Sequence, residues 1–321
     1  MNLKNALKNP YIQGAILILG LILYLLSPND AFRLLTGAIV AITIIGLVVL
    51  EIKEGAKQQG WKHEIKDTVL TLIAALILWF AAQFVLNTSS PISAVVTCSM
   101  LPNLQRGDFA IVQGASPSAY EIEMTKNELD ELYGDSKFYA NGQNYSVKGS
   151  LYSYCAYIRP EFCKEFVATP EKFPETKGSL TFHYSSCTMD IKNKGKMTEP
   201  CVTSVEYKEK IYPVNTSNEI IVYQPDKNEL YSLSGDIIHR AYFKIKIKET
   251  GEYYYLTKGD NNPILDIQAY DYMLKMGNEP IYQKKIKGKM IFKVPLLGYY
   301  KLLISGFFTE PPQCSMQLEQ K

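Results

Sequence analysis

Three apolar stretches dominate the N-terminal part of the chain: Tyr11 to Leu26, Leu34 to Leu50 and Val69 to Leu86. Each approaches the roughly 20 residues that a helix needs to cross the hydrocarbon core of a bilayer. None holds an Asp, Glu or Lys, so no buried charge marks an ion path or proton relay, which argues against a transporter or channel. The pattern predicts a three-span transmembrane anchor over residues 1–88. Residues 1–27 also invite comparison with a cleavable signal peptide, because Lys4 and Lys8 precede an apolar run. No small-x-small cleavage site follows, however, and a second span begins almost at once.

Past residue 88 the pattern changes. Short runs rich in Val, Ile, Tyr and Phe ("SAVVT", "DFAIVQ", "NEIIVYQ", "DIIHRAYFKIKI", "EYYYLTKG", "KMIFKVPLL") are bounded by Gly, Asp, Asn and Pro. They read as strands of a mostly antiparallel sheet or barrel, with a helix at "KNELDELYG". The fold class expected is therefore membrane-anchored α+β. Residues 89–113 and 218–310 form its β-rich core, interrupted by an inserted subdomain at 114–217 that is rich in polar loops and carries four cysteines. Residues 311–321 read as a polar C-terminal tail. The stretch "KVPLLGYYKLLISGFF" holds Lys293, Lys301 and Pro295, so it predicts a strand followed by a buried or interfacial segment rather than a fourth crossing.

Charge adds sidedness. The overall balance of +2 gives no sign of a nucleic-acid partner, but Lys53, Lys57, Lys62 and Lys66 crowd the loop between the second and third stretches, and Lys4 and Lys8 precede the first. By the positive-inside rule these segments face the cytoplasm, and three crossings place everything after Leu86 on the exterior side. Cys155, Cys163, Cys187 and Cys201 then lie where disulfides persist. Proximity favours Cys155 with Cys163 and Cys187 with Cys201, and four free thiols are the alternative. The spacing of these cysteines gives no zinc signature. Three Asn-x-Ser/Thr sequons, at Asn87, Asn144 and Asn215, fit an exterior domain.

Candidate chemistry centres on "TCSMLPNLQRGDFAIV". A serine hydroxyl needs a base within hydrogen-bond reach, a group to orient that base and donors for an oxyanion. The chain has three histidines. His63 lies on the lysine-rich cytoplasmic loop, His183 has no supporting pattern, and His239 sits at the start of an apolar strand run; elimination favours His239.

Taken in order, "SMLP", "RGDFAIV", "NEIIVY", "DIIHRA" and "LTKGDNNPILD" resemble the type I signal peptidases, in the branch of archaea and the endoplasmic reticulum that uses histidine as base. The tail "GKMIFKVPLLG" looks like the strand that closes those domains. The resemblance implies a serine endopeptidase with Ser99 as nucleophile, His239 as general base and Asp266 as the acid that orients it. Asp260 is a competing or supporting acid. It further implies an oxyanion and substrate-binding region at Thr97, Ser99, Val95, Val96, Met100 and Pro102, no cofactor and no metal. Its partners would be signal-peptide-bearing preproteins, the lipid bilayer and further membrane subunits. Three features depart from the family pattern: Cys98 where glycine is common, the long interval before His239, and three spans rather than one or two.

Two other readings remain open. One is a membrane-anchored surface binding or adhesion module with the inserted subdomain as its working part; Arg106 to Asp108 ("RGD") invites that reading, whereas in the peptidase reading the same residues form a turn leading into a strand. The other is a catalytically idle partner subunit. With a histidine base, activity should fall as pH drops below about 6 to 7, since free histidine titrates near 6.5. A cleavage rate that stays flat down to pH 5 would count against that base.

Overall fold

The computed structural model describes residues 10–26, 30–304 and 310–319. It divides into two compact units, residues 1–85 and 86–321. In the first, helices run over Pro10–Leu26, Asp30–Gln59 and Trp61–Val85. Two stretches among the described residues, Leu35–Gln59 and Trp61–Val85, are long and apolar enough to cross a membrane, while the apolar part of the first helix, Gly14–Tyr24, is shorter. Their apolar side chains point outward, with Leu78 71 % exposed. Water disfavours such a surface, so these helices are compatible with membrane association.

In chain order the strands of the second unit are β1 (Ile92–Ala94), β2 (Phe109–Gln113), β3 (Tyr120–Met124), β4 (Ser136–Ala140), β5 (Gln143–Val147), β6 (Glu175–Lys177), β7 (Leu180–Ile191), β8 (Gly195–Tyr207), β9 (Lys210–Pro213), β10 (Ile220–Tyr223), β11 (Ile237–Ile247), β12 (Tyr253–Lys258), β13 (Tyr270–Asp271), β14 (Met276–Gly277), β15 (Ile281–Tyr282), β16 (Ile286–Val294) and β17 (Met316–Leu318). One sheet runs β1-β2-β16-β10-β11-β12-β15, with β3 also on β11; a second runs β5-β4-β6-β7-β8-β9, with β17 also on β7. Nearly all pairings are antiparallel. Among the described residues the exception is β3 with β11, in register Ile122 to Ile245.

The central strand explains itself. In "IIHRAYFKIKI" the first seven residues are all buried, as a strand covered on both faces requires. On β7 the start "LTFHY" alternates buried and half-buried positions, as a strand with one face on a core does. Leu180, Phe182 and Tyr184 of β7 share one apolar cluster with Phe243 and Ile245 of β11 and with Leu265 and Ile267. The second sheet and the first are thus built on a common core. The helix expected at "KNELDELYG" forms at Lys126–Glu131 behind Thr125, whose hydroxyl accepts from the Glu128 amide while Glu128 reaches back to the Thr125 amide. That reciprocal pair is the capping box.

Two expected boundaries move. β3 lies inside 114–217 yet pairs in the first sheet, and the segment expected as a polar tail supplies β17, which pairs with β7 at Gln317 and Asp190. In both cases the partner strand is remote in sequence, so no local pattern marks the pairing. All six cysteines are in disulfides: Cys98 with Cys314, Cys155 with Cys163, and Cys187 with Cys201. The two short-range bridges are those favoured by proximity. The third joins Cys98, the neighbour of Ser99, to the C-terminal segment across 216 residues. The C-terminal apolar stretch forms β16 and a helix, Tyr299–Ile304, with Leu302 buried; its last residues lie outside those described.

Phe243 is fully buried and sits where the two sheets meet. Phe243→Ala should lower the stability of the second unit by about 3 to 5 kcal/mol, read as a shift of the urea midpoint for the protein in detergent. A shift under about 1 kcal/mol would mean that the sheets do not share a core.

Candidate active site

The serine is held by two turns that close on one another. After β1, Val95 receives from the Gly107 amide and donates to the Asp108 carbonyl, at 2.8 and 2.9 Å. Gly107 has φ +91°, and a Cβ there would lie 2.1 Å from the Tyr299 ring, so only glycine fits. Asp108 is 1 % exposed and accepts from the amides of Gln105 and Leu296. Arg106 is buried too, with its guanidinium over the Tyr299 ring. The Arg-Gly-Asp triplet therefore braces the fold from within, which removes it as a surface adhesion motif.

Beyond Cys98 the chain dips into the core. Met100 is buried among Leu104, Val112, Val222 and Ile238, which anchors the residue before it. The second turn follows β12, where Gly259 approaches so closely that a Cβ would meet the Ser99 carbonyl at 2.7 Å. The Asn261 amide donates to that same carbonyl at 2.7 Å, and its side-chain amide donates to the Cys98 carbonyl at 3.0 Å. Ser99 is thereby fixed from both sides.

From β11, His239 Nε2 stands 2.9 Å from Ser99 Oγ, and its Nδ1 stands 2.6 Å from Asp266 Oδ2. The three groups form one line across 140 and 27 residues of sequence. With an ionised carboxylate, Nδ1 carries the proton, which leaves Nε2 free to accept from the serine hydroxyl. All three side chains are buried or nearly so. Asp266 also receives from the hydroxyls of Thr257 and Tyr223. Burial and the neighbouring carboxylate hold the Tyr223 hydroxyl well above its ordinary value, so it stays protonated as a donor. The Tyr231 ring lies edge-on to the imidazole at 5.7 Å. Thr97 Oγ1 is 3.2 Å from Ser99 Oγ.

A cleft of about 140 Å³ opens onto Ser99 and His239; Ala94, Val95, Val96 and Thr97 line one part of it, and Asp236, Ile237 and Ile238 another. Such a line of serine, imidazole and carboxylate at the floor of a cleft can move a proton from the hydroxyl to Nε2.

No family model matches the chain, and no characterised protein matches its sequence. The site is therefore read from its own geometry.

Of the residues expected to act, Ser99, His239, Asp266 and Thr97 meet, and Val95 and Val96 line the cleft. Met100 and Pro102 do not line it: Met100 is turned into the core and Pro102 is exposed. The reason is the downward turn after Ser99, which carries both past the opening. Asp260 pairs with Arg240 through two contacts of 2.7 and 2.6 Å and accepts from Asn103 at 2.7 Å. It thus holds the neighbour of His239, while the acid on the imidazole is Asp266. Lys258 is buried, and its ammonium is pushed down to about 8 chiefly by burial, with Asp260 and Asp266 pulling it back up. Its Nζ donates to the Gly259 carbonyl, and the residue lines a separate cavity of about 440 Å³; it is not the base aimed at Ser99. Thr257, Tyr223, Tyr231, Asn262 and Gln313 also stand at the site, though none is among the residues to which the sequence assigns a role. Thr257 and Asn262 fall within "LTKGDNNPILD", so the motif marked them; the two tyrosines and Gln313 carry no local signal.

The two acids should separate on substitution. Asp260→Ala strands the buried Arg240 charge and should cost about 3 to 5 kcal/mol in unfolding free energy. Asp266→Asn should slow fluorophosphonate labelling of Ser99 by about 10²- to 10⁴-fold. If the two variants exchange these phenotypes, the assignment of the acids is reversed.

Proposed function

We propose that this protein is a membrane-bound serine endopeptidase that removes N-terminal signal peptides from exported preproteins, in the manner of the histidine-type signal peptidases that its motifs resemble. The observation that carries the reading is the hydrogen-bonded line of Ser99, His239 and Asp266 facing an open cleft. A serine and a histidine meeting by chance would lack the buried acid, its two hydroxyl donors and the access.

Ser99 Oγ attacks the scissile carbonyl while His239 Nε2 takes its proton. The imidazolium then protonates the departing amine, and water, activated by the same nitrogen, releases the acyl-enzyme. Asp266 fixes the tautomer and stabilises the imidazolium. The Ser99 amide and the Thr97 hydroxyl serve the developing oxyanion, a donor of this kind contributing about 3 kcal/mol. The apolar cleft wall of Ala94, Val95 and Val96 continues the edge strand β1. An extended substrate adds to such an edge by backbone hydrogen bonds, placing alternate side chains in shallow pockets. Small residues before a signal-peptide cleavage point suit a cleft of this size.

In this reading the three N-terminal helices cross the cell membrane, the lysine-rich loop stays in the cytoplasm, and residues after Leu86 lie outside. The site follows the last helix closely in sequence, which suits a substrate that is itself leaving the membrane.

The test is cleavage of a preprotein with an intact signal sequence by the purified protein in detergent, beside a folded Ser99→Ala variant. Wild-type cleavage at the signal-peptide junction, lost by at least about 10³-fold in the variant, is the expected result. Equal cleavage by both would exclude Ser99 as nucleophile.

A further inference from the structure

The C-terminal segment makes contacts that a peptidase of this design does not need for its chemistry. Residues Pro312–Ser315 form a 3-10 turn whose Cys314 is bridged to Cys98, the residue before the nucleophile. On its far side the segment enters β17, and the Ser315 carbonyl accepts from the Lys192 amide at 2.8 Å. The Asn261 side chain then grips it at two points, donating to the Met316 carbonyl at 2.8 Å and accepting from the Leu318 amide at 2.6 Å. Since Asn261 also holds the Ser99 carbonyl through its backbone amide, nucleophile turn, second turn and C-terminal segment form one bonded unit. A strand serving stability alone would need only β17. Gln313 instead remains exposed and lines the same cleft as Ser99 and His239.

From this we infer that the Pro312–Ser315 turn is a wall of the substrate cleft, and that Gln313 is a substrate-binding residue that contacts the backbone of the bound peptide. The inference rests on the peptidase reading above and adds to it the way substrate is held. The Cys98–Cys314 bridge positions the wall. Gln313 brings a carboxamide, with two donors and an acceptor, to a cleft whose neighbouring walls include the apolar Ala94, Val95, Val96, Ile237 and Ile238. An extended peptide backbone offers both an N-H and a carbonyl, so one carboxamide can engage it whichever way it turns. His239 is placed by β11, and Ser99 by the buried Met100 and the Asn261 amide; none of these uses the Gln313 side chain, so its loss weakens substrate binding more than it slows chemistry.

Steady-state cleavage of the same preprotein by the full-length protein decides the matter. Gln313→Ala should raise KM about 5- to 10-fold, the worth of one hydrogen bond to a peptide, with kcat within about twofold. Cys314→Ser should raise KM at least as far, because the turn is then held by hydrogen bonds alone. Gln313 is exposed, so Gln313→Ala is decisive even if Cys314→Ser fails to fold. An unchanged KM in Gln313→Ala, or a fall in kcat at constant KM, overturns the inference while leaving the peptidase reading intact. Fluorophosphonate labelling of the wild-type protein reports on the serine separately. A wild type that neither labels nor cleaves overturns the peptidase reading, and the inference falls with it.

Discussion

The contact on which the site depends is a backbone hydrogen bond, from the Asn261 amide to the Ser99 carbonyl at 2.7 Å. It joins the turn that carries the serine to the turn that follows β12, and it requires Gly259, since any side chain there would strike the Ser99 carbonyl. From the second turn the chain passes through Pro263, Ile264 and Leu265 into the short helix that begins at Asp266. One backbone contact therefore couples the position of the nucleophile to that of the acid, while the imidazole comes to both from a strand packed on two faces.

Around this contact the buried polar groups are largely matched. Asp266 takes donors from His239, Thr257 and Tyr223, and Asp260 takes Arg240 and Asn103. Buried charges are tolerated only when they are so paired, and here the pairing also sets direction. Arg240 and His239 are adjacent on β11, so their side chains leave opposite faces of the strand. Each meets its own aspartate, which is why one acid serves the imidazole and the other the frame.

The second sheet alters how the insertion should be understood. Its strand β7 packs Leu180, Phe182 and Tyr184 into the core that also holds Phe243 and Leu265, and Leu265 directly precedes Asp266. The same strand pairs with β17 of the C-terminal segment. The residues between the two halves of the first sheet thus support the site through the apolar core, as well as through the segment tied to Cys98.

The sequence by itself determined the apolar N-terminal helices and the strand-rich character of the rest, because these depend on local hydrophobic period, and it favoured the short-range cysteine pairs through proximity along the chain. It also nominated Ser99, His239 and Asp266, through motif order and through the scarcity of histidine. Only the tertiary structure decided what depends on partners remote in sequence: that Asp260 belongs to Arg240, that Met100 and Pro102 miss the cleft, and that β3 joins the first sheet. The same holds for Cys98, which pairs with Cys314 and brings Gln313 to the cleft. A hydrogen bond, a disulfide or a strand pairing between distant residues leaves no periodicity in either segment, so it becomes legible only once the chain has folded back on itself.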